Sequence, residues 1–248
     1  MHGMFELLLA DAAISRGIYV IVVGLTAFLL LLLVVAMWER RFSRPYVAIP
    51  EADVQRLSPY VRRMSDDVQA AGFVFGGYVG HAKPSIMTRG TVWFSSDGRT
   101  VVVTSSGTVS GIRTKQTLIF SPLNDGTLLC TTDQTGESDP SGMLRFKRRW
   151  NSLFPGLWEL HKRRQSAAGA GVMRFREANA FDALTQIYDR RTHQMVDKGL
   201  ARFINADEVC WRHTFLGALH ICGNFFVQLG QVLPQFWRKY LRGAGSPV

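Results

Sequence analysis

Residues 91–105 read TVWFSSDGRTVVVTS, two β-branched and aromatic arms with Asp97-Gly98 between them. An Asp-Gly pair set between such runs predicts a hairpin, because a primed turn needs positive φ and glycine adopts it without steric cost. Downstream, TKQTLIF (114–120) and TLLCTT (127–132) flank Asn124-Asp125-Gly126, a second turn signal. Upstream, GFVFGGYVG (72–80) reads as a glycine-bearing strand, with a turn from His81 to Pro84. Residues 72–135 are therefore predicted to form an antiparallel β-meander of four or five strands. A sheet of that size must bury a face, and the helical part over 136–248 is expected to cover it, which makes the fold class α+β.

On either side of the meander the pattern turns helical. Residues 39–71 are expected to hold a linker, extended where Pro45 and Pro50 occur, and then a short helix over Glu51–Ala71, in which Val54, Leu57, Val61 and Met64 recur three or four apart. Asn179–Lys198 reads as a helix with Asn179 as N-cap, Asp182 in the first turn and Gly199 beyond its end. Residues 200–214 read as a small, wing-like hairpin turning at Asn205-Ala206-Asp207-Glu208.

Further upstream, Ile18–Trp38 reads IYVIVVGLTAFLLLLLVVAMW, without a charge. At about 1.5 Å of rise per residue it matches a hydrocarbon layer roughly 30 Å thick, which predicts one N-terminal transmembrane helix. Arg40, Arg41 and Arg44 follow it and only Arg16 precedes it. By the positive-inside bias, the domain is expected on the cytoplasmic side and residues 1–17 are expected to be a short translocated arm. A cleaved signal peptide fits less well, because the apolar run is long, its leading region is not basic and no A-x-A site follows.

Composition agrees with this division. Hydrophobic residues make up 47%, yet mean hydropathy is only +0.04, so the apolar excess is local and a multi-span carrier is excluded. The formal net charge is +10, and because residues 1–17 hold Arg16 against Glu6 and Asp11, the segment after the anchor carries about +11. Three cysteines, Cys130, Cys210 and Cys222, are too few for a disulfide framework and suit a reducing compartment.

Two segments draw attention as binding surfaces. Arg145, Lys147, Arg148, Arg149, Lys162, Arg163 and Arg164 bracket Phe146, Trp150, Phe154 and Trp158. Cations interleaved with aromatics suit anionic lipid headgroups, and also the phosphates and bases of nucleic acid. The second is Thr214–Phe236, which contains no Asp, Glu, Lys or Arg and opens an apolar helix expected over 214–241. Its His220, Asn224, Gln228, Gln231 and Gln235 fall on one helical stripe opposite a greasy face, a pattern that suits a partner helix. The reading favours a helix lying in the interface or docked on the sheet, with Trp237, Arg238 and Lys239 reaching headgroups, over a second span, which would place Arg238, Lys239 and Arg242 outside.

Motifs for chemistry are weak. Cys210, His213, His220 and Cys222 have the residue types of a zinc site without a familiar spacing, and on a helix Cys222 lies some 200° around from His220, so no metal is assigned. Ser105, Ser106 or Ser110 with His81 and Asp133 or Asp139 lack a nucleophile elbow. Gly169-Ala170-Gly171 lacks the lysine of a phosphate loop. No catalytic residue and no cofactor are assigned. The sequence therefore predicts a single-pass accessory or assembly subunit that docks its basic domain on a membrane-protein partner or on membrane lipid. A membrane-tethered nucleic-acid binder is the alternative, and an enzyme with an unrecognised site the third.

Overall fold

The computed structural model describes residues 2–51, 57–83, 86–109, 112–134, 139–150, 152–177 and 179–223, except for the side chains of 2–18, 21, 109 and 112. It is a mixed α+β chain. The described residues form two compact units, one holding the N-terminal helix and a helix near residue 215, the other Arg40–Trp211.

In the first unit, α1 runs without a break over His2–Trp38. Another helix of the same unit is described over 215–223. Among the described residues no helix is long and apolar enough to cross a membrane. The transmembrane helix expected over Ile18–Trp38 is thus present as a helix, without support from these residues as a span.

The second unit is built on a seven-stranded sheet. After β1 (Arg41–Phe42) and β2 (Tyr46–Ala48), α2 spans Pro59–Ala70. Then come β3 (Phe73–His81), β4 (Ile86–Ser95), β5 (Val101–Val109), β6 (Ile112–Pro122), β7 (Leu128–Thr132) and β8 (Leu144–Arg148). The sheet order is β2-β3-β4-β5-β6-β7-β8. Neighbours are antiparallel except β7 and β8, which run parallel. The hairpin forms at Asp97-Gly98, but by a longer loop than a primed two-residue turn: of the pair only Gly98 has positive φ, at 70°, its N–H donates to the Ser95 carbonyl at 2.9 Å, and the Ser95 hydroxyl oxygen accepts the N–H groups of Arg99 and Thr100 at 3.1 and 2.8 Å.

Both faces of this sheet are covered, where one was expected. Side chains alternate across a strand, so Val101 and Val103 point one way and Val102 the other. On the first face Val92, Val101, Val103, Leu118, Phe120 and Leu128 pack with Ala183, Leu184 and Ile187 of α4 (Ala180–Asp197). On the second, Trp93, Val102 and Ile119 pack with Met64 and Val68 of α2 and with Phe154 and Leu157 of α3 (Phe154–Ala168). The run of three valines that reads as one strong strand is thus the centre of a three-layer sandwich.

Three boundaries differ from the sequence reading. The helix expected over Glu51–Ala71 starts at Pro59, after Leu57, while residues 52–56 lie outside the described set. Proline cannot donate inside a helix but fits its first turn, and the Ser58 side chain caps the helix by accepting the Val61 N–H at 3.3 Å. The part after residue 136, expected to be helical, begins with strand β8. The extended linker contributes both β1 and β2. A separate three-stranded sheet, in the order β1-β10-β9, joins β1 to β9 (Ala201–Phe203) and β10 (Cys210–His213). Arg41 pairs with Trp211 and Phe42 with Cys210.

Candidate functional site

The cationic and aromatic segment lies on β8 and α3, and much of it is internal bracing. Half-buried Arg164 donates from Nη1 to the Cys130 carbonyl at 2.6 Å and to Thr131 Oγ1 at 3.0 Å, and from Nη2 to the Arg145 carbonyl, so one guanidinium ties α3 to β7 and β8. Arg145 pairs with Asp125 in the β6–β7 turn. Arg149 donates to the Gly156 carbonyl at 3.0 Å. Lys162 and Arg163 both approach Glu159, at 2.8 and 3.8 Å. The Arg148 guanidinium lies over the Trp150 ring at 4.8 Å, and partial burial pulls its pKa below the usual arginine value. Lys147, Arg149, Trp150, Lys162 and Arg163 remain exposed.

Trp158 is committed elsewhere. It lies near-parallel to Phe154 and to His161, at 6.4 and 5.9 Å between centroids, and meets Phe73 edge-on at 5.1 Å. Lys162 Nζ lies over the same ring at 6.0 Å from its centroid.

Beneath α2 and α3 the sheet carries a belt of hydrogen-bonded hydroxyl groups. Thr91, Thr104 and Thr117 are cross-strand partners in β4, β5 and β6. Thr91 and Thr104 hydroxyls lie 2.7 Å apart, and the Trp93 indole N–H donates to Thr91 at 2.9 Å. The belt continues to buried Asp133, which accepts the Tyr60 hydroxyl at 2.6 Å and the Thr117 N–H at 2.8 Å. Burial raises the Asp133 carboxyl above its ordinary value, partly opposed by those hydrogen bonds. Burial, and then the neighbouring Asp133 charge, raise the Tyr60 phenol.

Under α3, His161 is fully buried. Its Nε2 lies 3.0 Å from Ser121 Oγ and its Nδ1 2.8 Å from Thr131 Oγ1. Gln165 Nε2 donates to Ser121 Oγ at 2.9 Å and to Thr100 Oγ1 at 3.0 Å. Thr100 and Gln165 line a cavity of about 490 Å³, together with Phe73, Arg99, Trp158 and Lys162. The hydroxyl and imidazole chain therefore runs from the core to this cleft.

A serine beside a histidine invites a nucleophilic reading, but the chemistry is poor. Burial, with a smaller push from Arg164, lowers the His161 pKa to about 3. Such an imidazole takes a proton reluctantly near neutrality, and Ser121 is itself fully buried. The serines, histidine and aspartates raised from sequence lie in separate places. Ser105 is buried in β5, Ser106 meets Ser58 at 2.5 Å, and His81 Nδ1 accepts the Lys83 N–H at 2.9 Å. Asp139 holds Arg191 of α4 at 2.9 Å and accepts the Leu144 N–H at 2.6 Å. Ser110 lies outside the described residues.

Among the described residues no three His, Cys, Asp or Glu side chains converge as a metal site would require. On the helix over 215–223, His220 is exposed on the same side as Phe215, Leu216 and Leu219. His220 is the member of the expected stripe that falls among the described residues. Asn224, Gln228, Gln231, Gln235, Trp237, Arg238 and Lys239 lie outside the described residues. The belt and the His161 network escaped the sequence reading, although threonine on one side of each central strand was their signal. No protein-family model, curated protein or solved structure matches this chain.

Proposed function

We propose that the protein is a membrane-anchored, non-enzymatic accessory or assembly subunit, held by Ile18–Trp38, whose domain faces the cytoplasm and docks on a membrane-protein partner or on the anionic membrane surface. The observation that carries this reading is the outward face of α1. Tyr19, Val20, Leu30 and Leu31 are more than half exposed, in a helix with no charge from Ile18 to Trp38. A large exposed apolar surface is costly in water and favourable against acyl chains. The basic residues that follow it, and the exposed Lys147, Arg149 and Arg163, suit an anionic leaflet, where each cation near the surface contributes about 1 kcal/mol.

Two features weigh against the other readings. Arg145 and Arg164 are engaged internally and are withdrawn from any phosphate-binding surface. The Ser121–His161 pair is buried with a poorly basic imidazole. Washing membranes that contain the full chain with alkaline carbonate tests the anchor: the chain is expected to stay with the membranes, and its release would sink the reading. Purification in mild detergent tests the subunit: a partner of fixed stoichiometry is expected, and a bare monomer would overturn that form.

A further inference from the structure

We infer that the cleft between α3, the β4–β5 turn and the start of β3 binds a small soluble phosphate monoester, its phosphate held by Arg99 and Lys162. All of its walls belong to Arg40–Trp211, so the site stands independently of the membrane reading of α1.

Three parts of the chain meet here. The turn after α2 supplies Gly72 and Phe73, and the β4–β5 turn supplies Asp97, Arg99 and Thr100. On α3, Trp158, Lys162, Gln165 and Gly169 recur three or four apart, so one stripe of the helix forms the opposite wall. A Cβ at Gly72 or at Gly169 would meet no atom within 4 Å, which leaves the rim open at both positions. The enclosed volume, about 490 Å³, is that of a small-molecule site.

The lining is polar and cationic. Asp97 is its one acid, and Asp97 Oδ1 is already engaged within the turn, accepting the Ser95 hydroxyl at 2.6 Å and the Arg99 N–H at 3.0 Å. The half-exposed Arg99 guanidinium approaches that carboxylate at 3.9 Å, a loose pairing. Lys162 meets Glu159 at 2.8 Å on the helix surface, an exposed pair of small net worth, and its ammonium lies over the Trp158 ring. Both cations can therefore turn to a stronger anion at little cost.

Two cations match the charge of about −1.5 to −2 on a phosphate monoester near neutrality better than the single charge of a carboxylate. Gln165 fixes the wall between them and the core, since its Nε2 is bound to Thr100 Oγ1 and to Ser121 Oγ. Phe73, Trp158 and Val172 are the large apolar residues of the lining. They suffice for a ring or a short carbon skeleton and not for acyl chains, which directs the site to a soluble molecule.

Phenyl phosphate titrated calorimetrically into the full chain in non-ionic detergent tests the site, with benzoate as the singly charged comparison. Saturable binding is expected below about 1 mM, at least about tenfold tighter than for benzoate. Arg99→Gln combined with Lys162→Gln is expected to weaken it at least about tenfold, and Lys147→Gln, on β8, to leave it unchanged. Ser166→Trp, at an exposed position of the lining, fills the cleft while keeping both cations and is expected to abolish binding. It decides the matter should the double variant fail to fold by circular dichroism. Undiminished binding in either folded variant, an equal loss in Lys147→Gln, or no saturation up to about 10 mM would overturn the site. Equal affinity for benzoate would overturn the phosphate assignment.

Discussion

At the scale of single residues, the polar groups under α3 give the fold a pH dependence of definite sign. His161 is held neutral in the core with its pKa lowered to about 3, by burial first and Arg164 second, against about 6.5 when unfolded. Below pH 6.5 the unfolded chain gains a proton that the folded chain refuses, so stability is lost as pH falls from 6.5 toward 3, by on the order of 5 kcal/mol at the lower limit. Asp133 works in the other direction, since its carboxyl is raised in the fold and its protonation in acid favours the native state. Denaturant unfolding of the full chain across this range is expected to show the loss, and His161→Gln to flatten it. An unchanged slope in that variant would refute the assignment.

Gly107 is a second such position. A Cβ there would come 2.1 Å from the Met87 carbonyl oxygen and 2.5 Å from Thr88 Cα, both backbone atoms of the neighbouring strand. Gly107→Ala is expected to cost about 1–3 kcal/mol through displacement of the β4–β5 ladder, read as a lower denaturation midpoint. An unshifted midpoint would show that the strands part without strain.

Among the elements, the two covers of the sheet are chemically unlike. α4 meets valine, leucine and phenylalanine and carries one buried ion pair, Arg191 with Asp139, whereas α2 and α3 lie on threonines, a tyrosine-aspartate pair and a histidine as well as on Trp93, Val102 and Ile119. Leu184→Ala, which leaves a cavity among the apolar side chains under α4, is expected to cost about 2–5 kcal/mol, measured as a fall in unfolding free energy; a loss below about 1 kcal/mol would mean that α4 packs loosely. The hairpins and α4 were legible because their signals are local: Asp97-Gly98 for the turn, and Asn179, whose side chain accepts the Asp182 N–H at 2.8 Å. β8 was not, since LRFKR alternates as a strand does but its arginines and lysine drew a surface reading. Nothing local reveals that Arg164, twenty residues on in the chain, would turn inward to brace that strand against β7.

For the whole molecule, sequence gave the apolar run of α1 and the uncharged stretch after Thr214 as separate features. Within the domain, β1 pairs with β10 across almost its whole length of sequence, a contact that no periodicity encodes. Carbonate extraction bears directly on the exposed apolar face of α1.

The β1–β10 pairing also sets a timetable. Arg41 and Phe42 are made early and Cys210 and Trp211 late, so during synthesis the first strand waits while the domain between them is translated. At about 5–20 residues per second that wait is on the order of ten seconds or more. A ribosome stalled within the domain leaves β1 without its β10 partner, and completion of that late strand closes the small sheet.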